Sequence, residues 1–237
     1  MAMYRLDYIK LERLAKAREV YSGGQPFPHV VVDNFLPAQV VGDVLESFPR
    51  PDAKYWHRKH EPTSKKLDSR RLDKEAALPD AMRGLVWELN SYRFLAVLES
   101  LTGISGLLPD PYLEGAGPHM IEAGGYLKVH ADFNLHPYTG LHRRLNLLVY
   151  LNADWEEAWG GHLELWERDL SRCARRVSPI LNRAVIFNTD SDSWHGHPEP
   201  LRTPPGVQRR SLAMYYYTVP RVEIRPHNTI YRETATD

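Results

Sequence analysis

Cysteine and long hydrophobic runs are almost absent from this sequence. Its 237 residues contain a single cysteine, Cys173, so an internal disulfide is excluded and nothing indicates an oxidising compartment. No apolar run approaches the roughly 20 residues that a membrane-spanning helix needs. Lys and Arg together number 30, as do Asp and Glu, so the basic excess of a general nucleic-acid binder is missing. We therefore expect a soluble, cytoplasmic globular protein that binds neither nucleic acid nor membrane.

Several common catalytic and cofactor-binding motifs are also missing. The sequence contains no Gly-rich phosphate loop ending in Gly-Lys-Ser/Thr, no Gly-x-Gly-x-x-Gly turn and no Gly-x-Ser-x-Gly elbow. P-loop nucleotidases, dinucleotide-binding domains and hydrolases with that elbow are therefore disfavoured. One cysteine cannot build a four-cysteine zinc site. Because the chain contains eleven histidines, a metal site based on histidine is the next alternative to examine.

The length suits one domain, 1–237, with three regions of different texture. Residues 1–117 are expected to form a mainly helical support region. From residue 118 onward, short apolar runs alternate with Gly, Pro, Asn and Asp turns: HMIEA, GYLKVHA, LNLLVYLN, GHLELWE, ARRVSPI, RAVIFNT, DSWHGH and RRSLAMYYYT. About eight strands at such intervals favour a β-sandwich or barrel. We predict a jelly roll over 118–219 with the helices packed outside it, followed by a C-terminal tail, 220–237.

Within the N-terminal region the pattern predicts individual elements. The β-branched run at 29–35 indicates a strand, and Pro37 is placed for the first turn of the helix that follows. Asp80 is expected to cap a further helix. The apolar face of that helical pattern contains Met82, Leu85, Val86, Leu89, Phe94, Leu98 and Leu101.

Residues 52–74 form a long polar stretch in which Trp56 is embedded. Such segments are usually solvated surface loops. The alternative is a lid over a pocket, which would be mobile without substrate and protected from proteolysis when substrate is bound. Both interpretations are open at the level of the sequence.

A candidate metal site begins with His130 and Asp132, two residues apart at the end of a predicted strand. Residues i and i+2 of a strand point to the same face, so the imidazole and the carboxylate converge. His195, on a late strand, is the best candidate for a third ligand. His197 shares its face and is the alternative. Two histidines and one carboxylate on one face of an octahedron suit non-haem Fe(II), which leaves positions open for other ligands.

A second group of residues could bind a carboxylate. Arg209 and Ser211 share one face of the last predicted strand, and an arginine there can hold a carboxylate through two parallel N–H bonds. Tyr150 could add a phenolic hydrogen bond. Hydrophobicity alone slightly favours the opposite face of this strand as the inward one, which would nominate Arg210 instead.

The order of these parts resembles that of the Fe(II)/2-oxoglutarate-dependent oxygenases, specifically the prolyl-4-hydroxylase-like branch. HADFN, RLNLLVYLN, the turn Gly160-Gly161-x-Leu163, HGHPEPL and RRSLAMYYYT carry the resemblance. It implies a double-stranded β-helix, with His130, Asp132 and His195 as iron ligands and with the ligand placed first in HGHP. It also implies that Arg209, Tyr150 and Ser211 bind 2-oxoglutarate. O2 is the implied second co-substrate, and ascorbate is a candidate reductant.

The resemblance implies oxidation of an unactivated C–H bond, with decarboxylation of 2-oxoglutarate to succinate and CO2. We expect hydroxylation of a small metabolite. The alternatives are hydroxylation of prolyl or other residues of a protein, and a cupin-like protein that binds a metal and a ligand without oxygenating it. Candidate substrate contacts are Asn134, Arg144, Trp194 and His197. The sequence does not indicate an oligomeric state.

Overall fold

The computed structural model describes residues 8–53, 56–59, 66–71 and 75–233. The α-helices of these residues all precede residue 103: α1 Tyr8–Ala15, α2 Arg18–Ser22, α3 Ala38–Ser47, α4 Asp80–Leu89 and α5 Tyr92–Thr102. No helix among these described residues is long and apolar enough to span a membrane. Each of the longer helices buries one apolar stripe against the sheet or a neighbouring helix, as an amphipathic sequence requires.

The apolar face that was predicted for the helical pattern after Asp80 is confirmed, because all seven of its residues are buried. They are divided between two helices, however. The second helix, α5, is capped by Ser91, whose hydroxyl accepts a hydrogen bond from the Phe94 amide at 3.3 Å. Asp80 was wrongly expected to be a cap. It is the first residue of α4, after Pro79, and its carboxylate pairs with Arg83 one turn later.

The described strands are β1 His29–Val32, β2 His57–Lys59, β3 Lys66–Arg71, β4 Leu108–Pro109, β5 Gly117–Ala131, β6 His142–Tyr150, β7 Leu163–Trp166, β8 Cys173–Val177, β9 Ala184–Asn188, β10 His195–His197, β11 Arg209–Thr218 and β12 Ile230–Tyr231. The main path runs β1-β9-β6-β11-β5-β10-β7-β8, and its described pairings are antiparallel. It forms a nearly closed barrel, which confirms the predicted jelly roll of the double-stranded β-helix type.

Strand β5 belongs to both halves of this barrel. Its first part pairs with β11, and its last part pairs with β10. The two runs HMIEA and GYLKVHA were predicted as separate strands, but they are one strand that passes through Gly124 and Gly125. Gly124 has a φ of +80°, a conformation that favours glycine. The chain can therefore turn from one half of the barrel to the other without leaving the sheet.

Of the two interpretations of 52–74, that of a solvated surface loop does not describe residues 57–59 and 66–71, which are strands. Strand β2 pairs with β3, and β3 pairs with β5, so this segment extends the sheet. Trp56 is buried against Phe48, and its indole N–H donates to the Arg50 carbonyl at 2.7 Å. Residues 54–55, 60–65 and 72–74 lie outside the described chain, so a lid role for this segment stays a prediction.

Candidate active site

The cluster of His130, Asp132 and His195 lies in a cavity of about 440 Å³ inside the barrel. Nε2 of His130 is 3.6 Å from Oδ1 of Asp132, and Nε2 of His195 is 3.4 Å from Oδ2. One nitrogen or oxygen from each residue lies within 4.8 Å of the others. The pairing of His130 with His195 across β5 and β10 creates this arrangement, because it places the two imidazoles side by side.

Hydrogen bonds to the backbone set the tautomer of both histidines so that Nε2 can bind a metal. Nδ1 of His130 lies 2.9 Å from the Lys128 carbonyl, and Nδ1 of His195 lies 2.9 Å from the Ser193 carbonyl. Since a carbonyl only accepts, each Nδ1 carries the proton and each Nε2 presents a lone pair to the cluster. Burial, together with the neighbouring His130, lowers the pKa of His195 to about 4, which favours the neutral imidazole. These donors fit a divalent iron with positions left open for other ligands.

Two buried side chains hold the carboxylate of Asp132. Arg143 donates from Nη2 to Oδ2 at 2.9 Å, and Asn146 donates from Nδ2 to the same oxygen at 2.8 Å. The Arg143 guanidinium also stacks on the ring of Tyr215, 3.4 Å from its centroid. Burial raises the pKa of Asp132, but Arg143, His195 and His130 all lower it and together outweigh the effect of burial, so the pKa lies well below its usual range. The carboxylate is thus ionised and fixed in direction.

We expect Arg143→Met to lower succinate formation by about 10–100-fold, because loss of a partner that orients a metal ligand typically has an effect of this size. The measurement is succinate formation at saturating Fe(II) and 2-oxoglutarate, with thermal melting as a check on folding. Arg144→Met is the matched control, since the Arg144 guanidinium lies 3.4 Å from the Thr218 hydroxyl instead. Equal rates in the two variants would contradict the prediction.

Arg209 occupies the same cavity as the cluster. Its Nε donates to the Gly161 carbonyl at 2.7 Å, and its Nη2 is 3.4 Å from the hydroxyl of Tyr150. Ser211 lies two residues further along the same face and also lines the cavity. Arg210 points to the other face, where its guanidinium contacts the ring of Phe48 at 5.2 Å and the Gln208 amide at 3.0 Å. Of Arg209 and Arg210, it is therefore Arg209 whose side chain lies in the cavity.

The turn at Gly161 is shaped to admit the Arg209 side chain. Gly161 has a φ of +70°, and a Cβ there would lie 2.6 Å from Cδ2 of Leu201 and 3.0 Å from Cδ of Arg209. We expect Gly161→Ala to raise the KM for 2-oxoglutarate by about tenfold, because Arg209 must shift. Gly140→Ala is the control: its φ is +67°, with no atom within 4 Å of the added Cβ. An equal rise of this KM in both variants would show that backbone strain alone causes the effect.

Three of the four predicted substrate contacts do not line the cavity, and their side chains contact other parts of the protein. The Asn134 side chain bonds to backbone of the C-terminal tail, and Arg144 lies beside Thr218. Trp194 is buried in a separate cluster, with its indole N–H donating to the Arg168 carbonyl at 2.9 Å. Their role as substrate contacts stays a prediction, and the structure places these three side chains against protein groups rather than in the cavity lining. His197 does line the cavity.

Several cavity residues were missed by the sequence analysis: Arg143, Asn146, Tyr215, Thr229 and Tyr231. Asn146 could have been found, because it shares the face of Tyr150 by simple alternation along β6. Thr229 and Tyr231 belong to the segment that was expected to be only a tail. Their position depends on the pairing of β12 with β5, for which the local sequence gives no signal.

The sequence was compared with models of known protein families. Residues 116–217 match the sequence model of the 2OG-Fe(II) oxygenase superfamily. This part of the chain, which carries His130, Asp132 and His195, is therefore an oxygenase domain of that superfamily. As expected from the resemblance, this oxygenase is a 2-oxoglutarate-dependent dioxygenase that uses Fe(II) and 2-oxoglutarate, and its fold is that of the prolyl-4-hydroxylase-like branch. No curated protein sequence matches the chain.

Solved structures of low sequence identity share the fold of this oxygenase. A prolyl hydroxylase from Trichoplax adhaerens, in complex with a peptide of hypoxia inducible factor, is 16% identical with a TM-score of 0.64, over 89% of this chain and 91% of that one. A Pseudomonas putida prolyl-4-hydroxylase is 17% identical with a TM-score of 0.58, over 86% and 98%. HygX from Streptomyces hygroscopicus, with nickel, 2-oxoglutarate and hygromycin B bound, is 13% identical with a TM-score of 0.51, over 80% and 82%.

Proposed function

We propose that this oxygenase hydroxylates an unactivated C–H bond of a small metabolite, with conversion of 2-oxoglutarate to succinate and CO2. The observation that carries the proposal is the presence of His130, Asp132, His195 and Arg209 in one buried cavity. A protein that only bound a metal would have no use for a buried arginine beside it. That arginine suits a co-substrate with a carboxylate at its far end.

The residues of the metal cluster and those around Arg209 have separate tasks in this proposal. His130, Asp132 and His195 hold Fe(II), which when bound supplies the activation of O2 and the oxidation of the substrate C–H bond. Arg209 and Ser211 bind the distal carboxylate of 2-oxoglutarate, and Tyr150 fixes the guanidinium from the side. The surrounding apolar walls, which include Ile121, Leu148 and Leu163, exclude water from the reacting groups.

The size of the cavity supports a small substrate. About 440 Å³ lies near the lower end of the range of roughly 300–1,000 Å³ that is usual for small-molecule sites, and this volume must accept 2-oxoglutarate as well. The second candidate is a peptide substrate, of which only one residue would enter. The likeness to a prolyl hydroxylase that carries a bound peptide favours this candidate. Cytoplasmic localisation and ascorbate as the reductant are further parts of the proposal.

The test is succinate formation by the purified chain with Fe(II), 2-oxoglutarate and air, in the presence of free amino acids, aminoglycosides or proline-containing peptides. We expect at least one small molecule to raise succinate formation above the rate without added compound, and to gain the mass of one oxygen atom. Stimulation by peptides alone would replace the proposal by the second candidate. Absence of succinate under every condition would contradict oxygenase activity.

A further inference from the structure

The segment 225–232, here named the C-terminal strap, lies outside the residues that match the oxygenase family. Its strand β12 pairs with β5 at the metal site, with Ile230 opposite Ala131 and Tyr231 opposite His130. The Arg232 amide continues this pairing by donating to the Val129 carbonyl at 3.0 Å. A part of the chain that the family domain does not include therefore reaches the strand that carries His130.

Asn134 fastens the other end of the strap. Its Nδ2 donates to the Arg225 carbonyl at 2.9 Å, and its Oδ1 accepts from the His227 amide at 2.9 Å. The His227 ring adds a hydrogen bond of 2.9 Å with the Ser191 hydroxyl. Because both polar atoms of the Asn134 side chain bind strap backbone, this residue fixes the path of the strap just after the ligand strand.

The strap presents alternate residues to two different environments. Thr229 and Tyr231 line the active-site cavity, and the ring of Tyr231 lies 5.4 Å from the ring of His130. Ile230, between them, packs on the cluster of Val129, Ala131, Trp166 and Trp194. This alternation is that of a strand with one face on a core and the other on a cavity.

The strap also lies on the side of the metal site that is opposite to the arginine anchor. Across four paired strands, Tyr231, His130, His195 and Leu165 form one row, in the order β12, β5, β10 and β7. Gly161, whose carbonyl accepts a hydrogen bond from Arg209, lies four residues before Leu165, on the chain that leads into β7 at this end of the row. The strap therefore lies on one side of the two histidines, and the arginine that anchors 2-oxoglutarate lies on the other.

We infer that the C-terminal strap forms the substrate-facing wall of the active site, with Thr229 and Tyr231 as specificity-determining residues and Asn134 as a positioning residue that holds the strap. The inference rests on the proposed function, since it assigns this wall to the oxidised substrate. It places substrate selection in a segment outside the residues that match the family model.

The test uses the full chain with Fe(II) and 2-oxoglutarate, and the variants Thr229→Val, Tyr231→Ala and Asn134→Ala. Ile230→Val is the matched control, because it changes the same strap on its other face. We expect the first three variants to raise the KM for the most stimulating amino acid, aminoglycoside or peptide by about tenfold or more, with the KM for 2-oxoglutarate changed by less than about threefold. Asn134→Ala should also lose hydrogen-exchange protection at the amides of His227 and Arg232.

A readout without any added substrate keeps this test separate from the proposed function. With ascorbate added as the reductant, uncoupled succinate formation should rise by about threefold or more in Tyr231→Ala, because loss of the ring opens the cavity beside His130 to side reactions with the reductant, and it should stay unchanged in Ile230→Val. If no compound stimulates the wild type, the substrate assignment fails, and this readout alone decides the inference. Equal uncoupled rates in Tyr231→Ala and Ile230→Val, or a 2-oxoglutarate KM that rises as in Arg209→Ala, would overturn it.

Discussion

His195→Ala and Asp132→Ala are each expected to abolish iron retention and turnover. Each variant removes one of three donors that lie within 4.8 Å of one another. Two remaining ligands hold a labile divalent ion poorly, and even loss of an outer partner can lower metal affinity by about 10–100-fold. We therefore expect Fe(II) affinity to fall by more than about 100-fold and succinate formation to disappear. The measurements are iron content after gel filtration and succinate formation at high Fe(II).

His197→Ala is the control for iron content in this experiment. His197 lies two residues from His195 and lines the same cavity, but it is not one of the three clustered donors. The variant should retain iron, whatever its effect on the substrate. Loss of iron from His197→Ala, together with normal iron in His195→Ala, would show that the third ligand has been assigned to the wrong histidine.

Arg209→Ala is expected to raise the KM for 2-oxoglutarate by roughly 30-fold or more. Truncation of one partner of a buried charge pair costs on the order of 2–5 kcal/mol of binding, which corresponds to this change in affinity. The Arg209 guanidinium is buried in the cavity beside Tyr150 and far less accessible to solvent than a surface arginine, so water cannot easily replace it. Titration of 2-oxoglutarate, with succinate as the readout, measures the effect, and Fe(II) affinity should be nearly unchanged.

Arg210→Ala provides the matched comparison, because its side chain packs on Phe48 on the opposite face of β11. It should change the KM for 2-oxoglutarate by less than about threefold. A large rise in Arg210→Ala with a normal value in Arg209→Ala would reverse the assignment. A large rise in both would indicate that β11 as a whole is displaced.

The local sequence was sufficient to locate most of the strands after residue 118, together with His130 and Asp132. Alternation along a strand has a period of two, so the spacing of His130 and Asp132 already placed both side chains on one face. The β-branched and aromatic runs after residue 118 fixed the fold class for the same reason. The face of β11 was less certain, because both of its faces are buried and a hydrophobic contrast between them is missing.

Side-chain contacts between distant parts of the chain were decided only by the tertiary structure. The bond of Arg143 to Asp132 and the pairing of β12 with β5 depend on which strands become neighbours and in which register. Asn134 shows the difference most clearly: its position beside the ligand strand gave no sign that both polar atoms of its side chain bind the strap. A sequence period specifies the direction of a side chain, whereas its partner is set by long-range packing, which no local pattern encodes.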